Sequence, residues 1–232
     1  MIITSRDKFK INGASSDSIG VYVDTPLPVP MAKRVRDIYD AQDEPRSAPR
    51  DKWDAIDYPI DFYTLLEDDD DTAVHAFFAN PRRLEISRLP GYYYKIIDFN
   101  LLTDAELDNN KKRYTAAFSL SPFRYKTYSN VVTVTSKNTV ITNRGNAPCK
   151  PVYTVTGSGT VELIVNGQSF KFTMPLGATS AVVDAERKIV YTGNTLIFKT
   201  VGQFPFLAVG INTISWAGTA SSIEINLNER SY

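Results

Sequence analysis

Hydrophobic and polar positions alternate along the second half of the chain. Val161, Leu163 and Val165 are spaced by Glu162, Ile164 and Asn166, and beyond Asn166-Gly167 the pattern resumes with Phe170, Phe172 and Met174 spaced by Lys171 and Thr173. A period of two sends one set to one face of a strand. Asn-Gly closes a two-residue hairpin because both residues tolerate positive φ. Further strands are predicted over 181–183, 189–191, 196–198, 211–216 and 223–227, and Gly157 with Gly159 predicts a bulge or tight turn before Val161. Gly210 and Asn212 are the residues expected to take positive φ ahead of the strand holding Ile214 and Trp216. Short strands divided by turn residues, without a helix-period segment, predict a β-sandwich.

The first half is more mixed. A turn at Asn12-Gly13 precedes strand text over 20–23, and Pro26, Pro28 and Pro30 suppress both helix and ladder. Residues 31–59 are polar and proline-punctuated, which suits either an exposed arm or a pair of edge strands. Residues 59–80 carry the helical signal: Asp71 or Thr72 as cap, Val74, Phe77 and Phe78 on one face, and Asn80-Pro81 as the stop. Pro90-Gly91 divides RRLEISRL from YYYKIIDFNLL and predicts a hairpin. Thr103 and Glu106 have capping-box spacing, and the strand text from Arg113 is expected to end at Pro122.

Composition sharpens the division. The chain has 232 residues, 43% hydrophobic and 22% charged, with zero formal net charge. Residues 1–130 carry 18 basic and 21 acidic side chains, and residues 131–232 carry 8 and 5. A balanced charge disfavours a dedicated nucleic-acid binder, which needs a cationic surplus. Cys149 is the only cysteine, so no intrachain disulfide is possible. The opening MIITSRDKFKING lacks a signal-peptide layout, and no apolar run approaches the roughly 20 residues of a membrane span. The expectation is a protein made in the cytoplasm without a membrane anchor.

Candidate chemistry is sparse. No phosphate-binding loop, dinucleotide fingerprint, zinc-protease motif or nucleophile elbow occurs. His75 is the sole histidine, so any triad would have to use it, yet it sits beside Val74 and Phe77 in an acidic stretch. Cys149, between Pro148 and Lys150, is expected to be an inert, buried thiol. Glu67, Asp68, Asp69, Asp70 and Asp71 lack the spacing of a calcium loop and fit a solvated loop or a subunit contact. Tyr92, Tyr93 and Tyr94 with Phe123, Tyr125 and Tyr128 suit packing or an interface better than a stacking platform. No catalytic, cofactor-binding or metal-ligating residue is assigned, and no enzyme activity is expected.

Motifs in a fixed order connect the two halves: NGASSDSIGVYV at 12–23, PRRLEISRLPGYYYKIIDF at 81–99 and FSLSPFRY at 118–125. They continue as NRGNAPCKPVYTVTGSGTVELIVNG at 143–167, VVDAERKIVY at 182–191 and FPFLAVGINTISWAG at 204–218. In this order the chain resembles the distal tail (Dit) proteins of long non-contractile-tailed siphophages infecting Gram-positive bacteria. The resemblance implies a mainly β protein: an N-terminal, β-rich, ring-forming hub domain with one helix over 1–130, and a C-terminal galectin-like β-sandwich over 131–232. It further implies a virion structural protein that forms a homohexameric ring at the distal tail. Its expected partners are the tail tube protein, a tail-tip or tail-associated protein, and receptor-binding or baseplate proteins, with DNA only as cargo through the channel. The alternative reading is a carbohydrate-binding sandwich for host-surface attachment, against which Trp216 is expected to be packed within its strand.

Overall fold

The computed structural model describes residues 7–41, 44–65, 71–103 and 111–232. The predicted capping box at Thr103 and Glu106, and Glu67 to Asp70 of the acidic run, extend outside these residues. The chain divides into two compact units, Met1–Thr127 with Tyr232, and Tyr128–Ser231. It is mainly β, and every strand pairing described below is antiparallel.

The first unit holds, in chain order, β1 (Phe9–Ile11), β2 (Ala14–Ser15), a 3-10 turn (Ser16–Ile19), β3 (Val21–Val23), β4 (Arg34–Ala41), β5 (Glu44–Trp53), β6 (Ile56–Leu65), α1 (Thr72–Phe77), β7 (Arg83–Ile86), β8 (Tyr92–Thr103) and β9 (Lys111–Lys126). Its main sheet runs β2-β1-β7-β8-β9-β6-β3, and β4 with β5 forms a separate two-stranded ribbon. Within 31–59 the described residues contribute the strands of this ribbon and the start of β6. Pro45 and Pro49 are accommodated because β5 pairs with β4 alone, leaving its other side without a ladder to break.

The predicted turns appear where expected. Asn12 and Gly13 both have positive φ between β1 and β2, and Gly91 does before β8. Asn12 does more: its Oδ1 accepts from the N–H groups of Arg82 and Arg83 at 3.0 and 3.2 Å, and its Nδ2 donates to Asn80 O at 2.8 Å. The proline segment after β3 makes no ladder and is held by side chains instead. Tyr58 Oη donates to Pro28 O at 2.6 Å and Tyr94 Oη to Pro30 O at 2.9 Å. The Leu27 N–H donates to Asp7 Oδ2 at 2.9 Å. Burial pushes both phenol pKa values up, so the hydroxyls keep the protons they donate.

Two expectations for this unit are corrected. The helix occupies only Thr72–Phe77, because residues 59–65 lie in β6, where Tyr58, Ile60, Phe62 and Thr64 alternate inward. Val74 and Phe78 are buried and Phe77 packs edge-on against Phe9 at 6.1 Å, so the expected helical face is the packed one. Pro122 does not end its strand. β9 continues to Lys126, and its register against β8 jumps from Tyr94↔Arg124 to Ile96↔Leu120. Pro122 falls in that bulge, where no ladder N–H is required.

The second unit is a two-sheet sandwich. Its strands are β10 (Val131–Val134), β11 (Thr139–Asn143), β12 (Val152–Thr156), β13 (Thr160–Val165), β14 (Gln168–Thr173), β15 (Ser180–Asp184), β16 (Ile189–Thr192), β17 (Thr195–Leu196), β18 (Thr200–Gly202), β19 (Gly210–Gly218) and β20 (Ser222–Asn226). One sheet runs β10-β20-β12-β15-β16-β17 and the other β11-β19-β13-β14-β18. Val161, Leu163, Val165, Phe170 and Phe172 from one sheet meet Tyr153, Val155, Val183, Ile223 and Ile225 from the other in one core. Burying each such aliphatic or aromatic side chain stabilises the fold by about 2 kcal/mol. The predicted hairpin is present, with Asn166 and Gly167 at φ 51° and 78°. The predicted strand over 196–198 reduces to Thr195–Leu196, and Phe198 stands exposed.

Asn212 is a further correction. Gly210 takes positive φ, but Asn212 is buried within β19. Its Oδ1 accepts from Asn166 Nδ2 and from the Ala208 N–H, both at 2.8 Å, and its Nδ2 donates to the carbonyls of Ala208 and Gly210, both at 2.9 Å. One carboxamide thus ties the 166–167 hairpin to the turn entering β19.

Two outcomes follow from this core. A fragment spanning 128–231 should give dispersed, monomer-sized amide NMR signals without the first unit, and a collapsed spectrum would refute an independent core. In the full chain, Asn212→Ala should lower the unfolding free energy by about 3 kcal/mol, since it strands buried backbone groups. Denaturant titration against the parent chain measures that loss.

Candidate interaction surfaces

The solvent face of the β6–β9–β8 segment is acidic and small. Cross-strand register places Asp57, Ser119 and Asp98 in one row, Pro59, Ala117 and Asn100 in the next, and Asp61, Thr115 and Leu102 in a third. Asp57, Asp61, Asp98 and Asn100 are exposed, while the alternate positions Tyr58, Ile60, Phe62, Phe118 and Leu120 fill the core. Thr115 Oγ1 donates to Asp61 Oδ1 at 2.7 Å, which fixes that carboxylate on the sheet. The face presents three carboxylates, which repel polyanions, and the exposed Arg113 of β9 stands one row beyond Thr115 at its end.

At the other end of the same strands lies a ladder of tyrosines and cations. Tyr93 stacks on its cross-strand partner Tyr125 at 5.5 Å. The Arg83 guanidinium lies 4.8 Å from the Tyr93 ring, the Lys95 ammonium 4.3 Å from Tyr125, and Arg124 5.3 Å from Tyr92. Each cation is committed to a ring within the protomer. The tyrosine run divides by alternation: Tyr94 is buried, Tyr92 and Tyr93 half-buried. This is packing with a polar rim, as the sequence suggested, and Tyr128 stands exposed elsewhere.

The described end of the acidic run forms a local node. Asp71 Oδ2 accepts from Lys112 Nζ at 3.0 Å and lies 3.2 Å from His75 Nε2. Asp71 occupies the N-cap position of α1 but makes no capping bond, its carboxylate being turned to these two groups. The hydrogen bond from Lys112 holds the Asp71 carboxyl below its ordinary pKa. Lys112 is thereby engaged within its own unit. His75 is exposed, and the carboxylate of Asp71 is what lies against its ring. Among the described residues no group of three histidine, cysteine or carboxylate side chains is placed to hold a metal ion.

A second carboxylate acts as a clamp. Asp7 accepts from Arg88 Nε at 3.0 Å as well as from the Leu27 N–H. Burial pulls its pKa up, but the hydrogen bonds from Arg88 and Leu27 outweigh that and hold it below the ordinary value.

In the second unit Trp216 is 5% exposed, and its Nε1–H donates to Ala220 O at 2.8 Å. It is core, as its alternating position predicted, and is withdrawn from sugar stacking. Cys149 is fully buried, bridged to Leu207 by paired backbone hydrogen bonds of 2.9 and 3.0 Å. Burial, with the Glu229 carboxylate nearby, pushes its thiol up to about 12. It lines one side of a cleft of about 490 Å³ whose other wall is the 202–206 segment. That cleft was not anticipated from the sequence. Its cations, Lys150, Lys188 and Arg230, are far apart in the chain, and only the turn chemistry of 143–151 hinted at an ordered wall.

A scan against family models finds no match, and a search of the curated proteins finds none either. Among solved structures the chain is similar to the crystal structure of the SPP1 Dit (gp 19.1) protein, described as a paradigm of the hub adsorption apparatus in Gram-positive infecting phages. The match has a TM-score of 0.59 at 13% identity and covers 94% of this chain and 97% of that one. The two proteins share a fold across both units.

Proposed function

We propose that this chain is a non-enzymatic structural hub of a long non-contractile phage tail, joining the tail tube to the tip or baseplate. The observation that carries the reading is the extent of the fold match, which spans both units in order and nearly all of each chain. A resemblance limited to the sandwich would point only to a common β architecture. In this reading residues 1–130 form the ring and residues 131–232 a galectin-like module.

The acidic, small-residue face of β6, β9 and β8 supports the ring assignment. A passage for DNA must let a polyanion slide, and Asp57, Asp61 and Asp98 supply repulsion over the three rows they flank, with Arg113 as a single cation at the end of the face. The carbohydrate-binding alternative loses its most natural stacking residue, because Trp216 is in the core.

Light scattering after size exclusion, or native mass spectrometry, tests the hub reading. The expected species has about six protomers, or about twelve if rings stack, since a closed ring gives every subunit the same contact. A monodisperse monomer at tens of micromolar would contradict it. A second expectation separates structural from catalytic use of the thiol. With its pKa near 12, Cys149 should resist alkylation in the folded protein at pH 8 and react fully once denatured. Rapid native labelling would mean that the thiol is accessible and activated.

A further inference from the structure

The cleft in the second unit is a built feature. Gly202, at φ 102°, leaves β18 so close to β14 that a Cβ would lie 2.3 Å from Ser169 O. Phe204 then packs on Phe170 with ring centroids 4.6 Å apart, and Pro205 is buried. Opposite, the Cys149–Leu207 bridge fixes the 148–150 wall, and Arg230 Nε donates to Pro148 O at 2.5 Å. Both sides are held by core contacts or backbone pairing.

Its chemistry is one-sided. Lys150, Lys188 and Arg230 line it, and no acidic side chain does among the described residues. Two nearby carboxylates accept from backbone groups. Asp184 Oδ1 accepts from the N–H groups of Glu186 and Arg187 at 3.0 and 2.9 Å, and buried Glu229 accepts from the Arg144 N–H at 2.8 Å. Phe206 at the lip is 51% exposed, and Phe198 and Val201, on the segment leading in, are 84% and 70% exposed. β18 is also the last strand of its sheet, so its outer backbone edge is unpaired in the sheet order.

We propose that this cleft, with the β18 edge beside it, docks an extended acidic segment of a partner protein that carries an aromatic or aliphatic side chain among its carboxylates. The cations fit carboxylates, the volume fits a large apolar side chain, and an open strand edge takes an extended backbone. A nucleic acid strand fits less well: its phosphates call for cations along a track, whereas these surround one bounded cleft. The proposal goes beyond the hub reading and stands without it, because every residue it uses lies in the second unit.

The test uses the full chain and a fluorescein-labelled peptide of sequence Asp-Glu-Asp-Phe-Glu-Asp, followed by anisotropy at low salt. Comparison ligands are the same peptide with Ala for Phe and a single-stranded oligonucleotide of equal charge. Saturable binding of the Phe peptide is expected, weakened about tenfold or more by Lys150→Glu with Lys188→Glu, both exposed surface positions. Phe206→Ala, which keeps the charges, should remove most of the preference for the Phe peptide over the Ala peptide. Absence of saturable binding, indifference to the double charge reversal in a variant with unchanged circular dichroism, or tighter binding of the oligonucleotide would each overturn the proposal. A mass measurement showing ring or monomer bears on the hub reading and leaves this result unaffected.

Discussion

A strand covered on one side only obeys two sets of rules at once, and most of this molecule follows from that. Inward positions must be apolar and interdigitate, as Phe62, Phe118 and Leu120 do in the first unit and Leu163, Phe170 and Ile225 in the second. Outward positions need only tolerate water and a β backbone. β9 shows the consequence most clearly, since it pairs with β6 on one side and β8 on the other. Its inner residues include the large Tyr114, Phe118 and Leu120, and its outer ones past Arg113 are Thr115, Ala117 and Ser119. The same small outer residues leave the flanking aspartates unobstructed, so the acidic face is a by-product of where β9 sits.

One-sided sheets also have to bring the chain round corners, and corners leave buried backbone groups without ladder partners. Here polar side chains take their place. Asn212 serves the turn into β19, and Asn143 Nδ2 donates to the carbonyls of Ala147 and Ala208 at 3.0 and 3.2 Å. Glu229 serves Arg144, and Tyr58 and Tyr94 serve the proline segment. Each is a polar residue inside a mainly apolar interior, and each is matched. These groups are fold determinants, which is why burial and hydrogen bonding at them do not translate into reactivity.

The difference between what was legible in the sequence and what was not follows the range of the interaction. Asn166-Gly167, Asn12-Gly13 and Pro90-Gly91 are local signals, read from residues whose backbone preferences act over two positions. The alternation of β13 and β14 is equally local. Pro122 misled because its tolerance depends on the register of β8, a strand distant in sequence. Asn212 misled because its side-chain partners, Asn166 and Ala208, lie on other segments, and a buried asparagine with four bonds looks the same in sequence as one at a turn. The helix was overextended because the acidic run obscured the change from period two in β6 to the short α1 after it. At the surfaces, Trp216 and Cys149 were placed in the core by their neighbours, whereas the cleft joins three cations from segments far apart in the chain and had no local signature.

That separation bears on how a fold persists at 13% identity. Alternation accepts many apolar residues at an inward position, so sequence can change while the face remains buried. Substitution is restrained mainly where backbone comes close: at Gly145 a Cβ would lie 2.2 Å from Arg230 O, and at Gly218 2.3 Å from Thr160 O. Asn212 is restrained by its four hydrogen bonds in the same way. Gly145 and Asn212 are buried, and Gly218 is held by backbone approach although exposed. Asp57, Asp98, Lys150, Lys188 and Phe206 do face outward, and neither core packing nor backbone approach fixes their identity. The residues of these outward surfaces are therefore the ones most free to change beneath a constant fold, and partner chemistry has to be read from this chain's own surface.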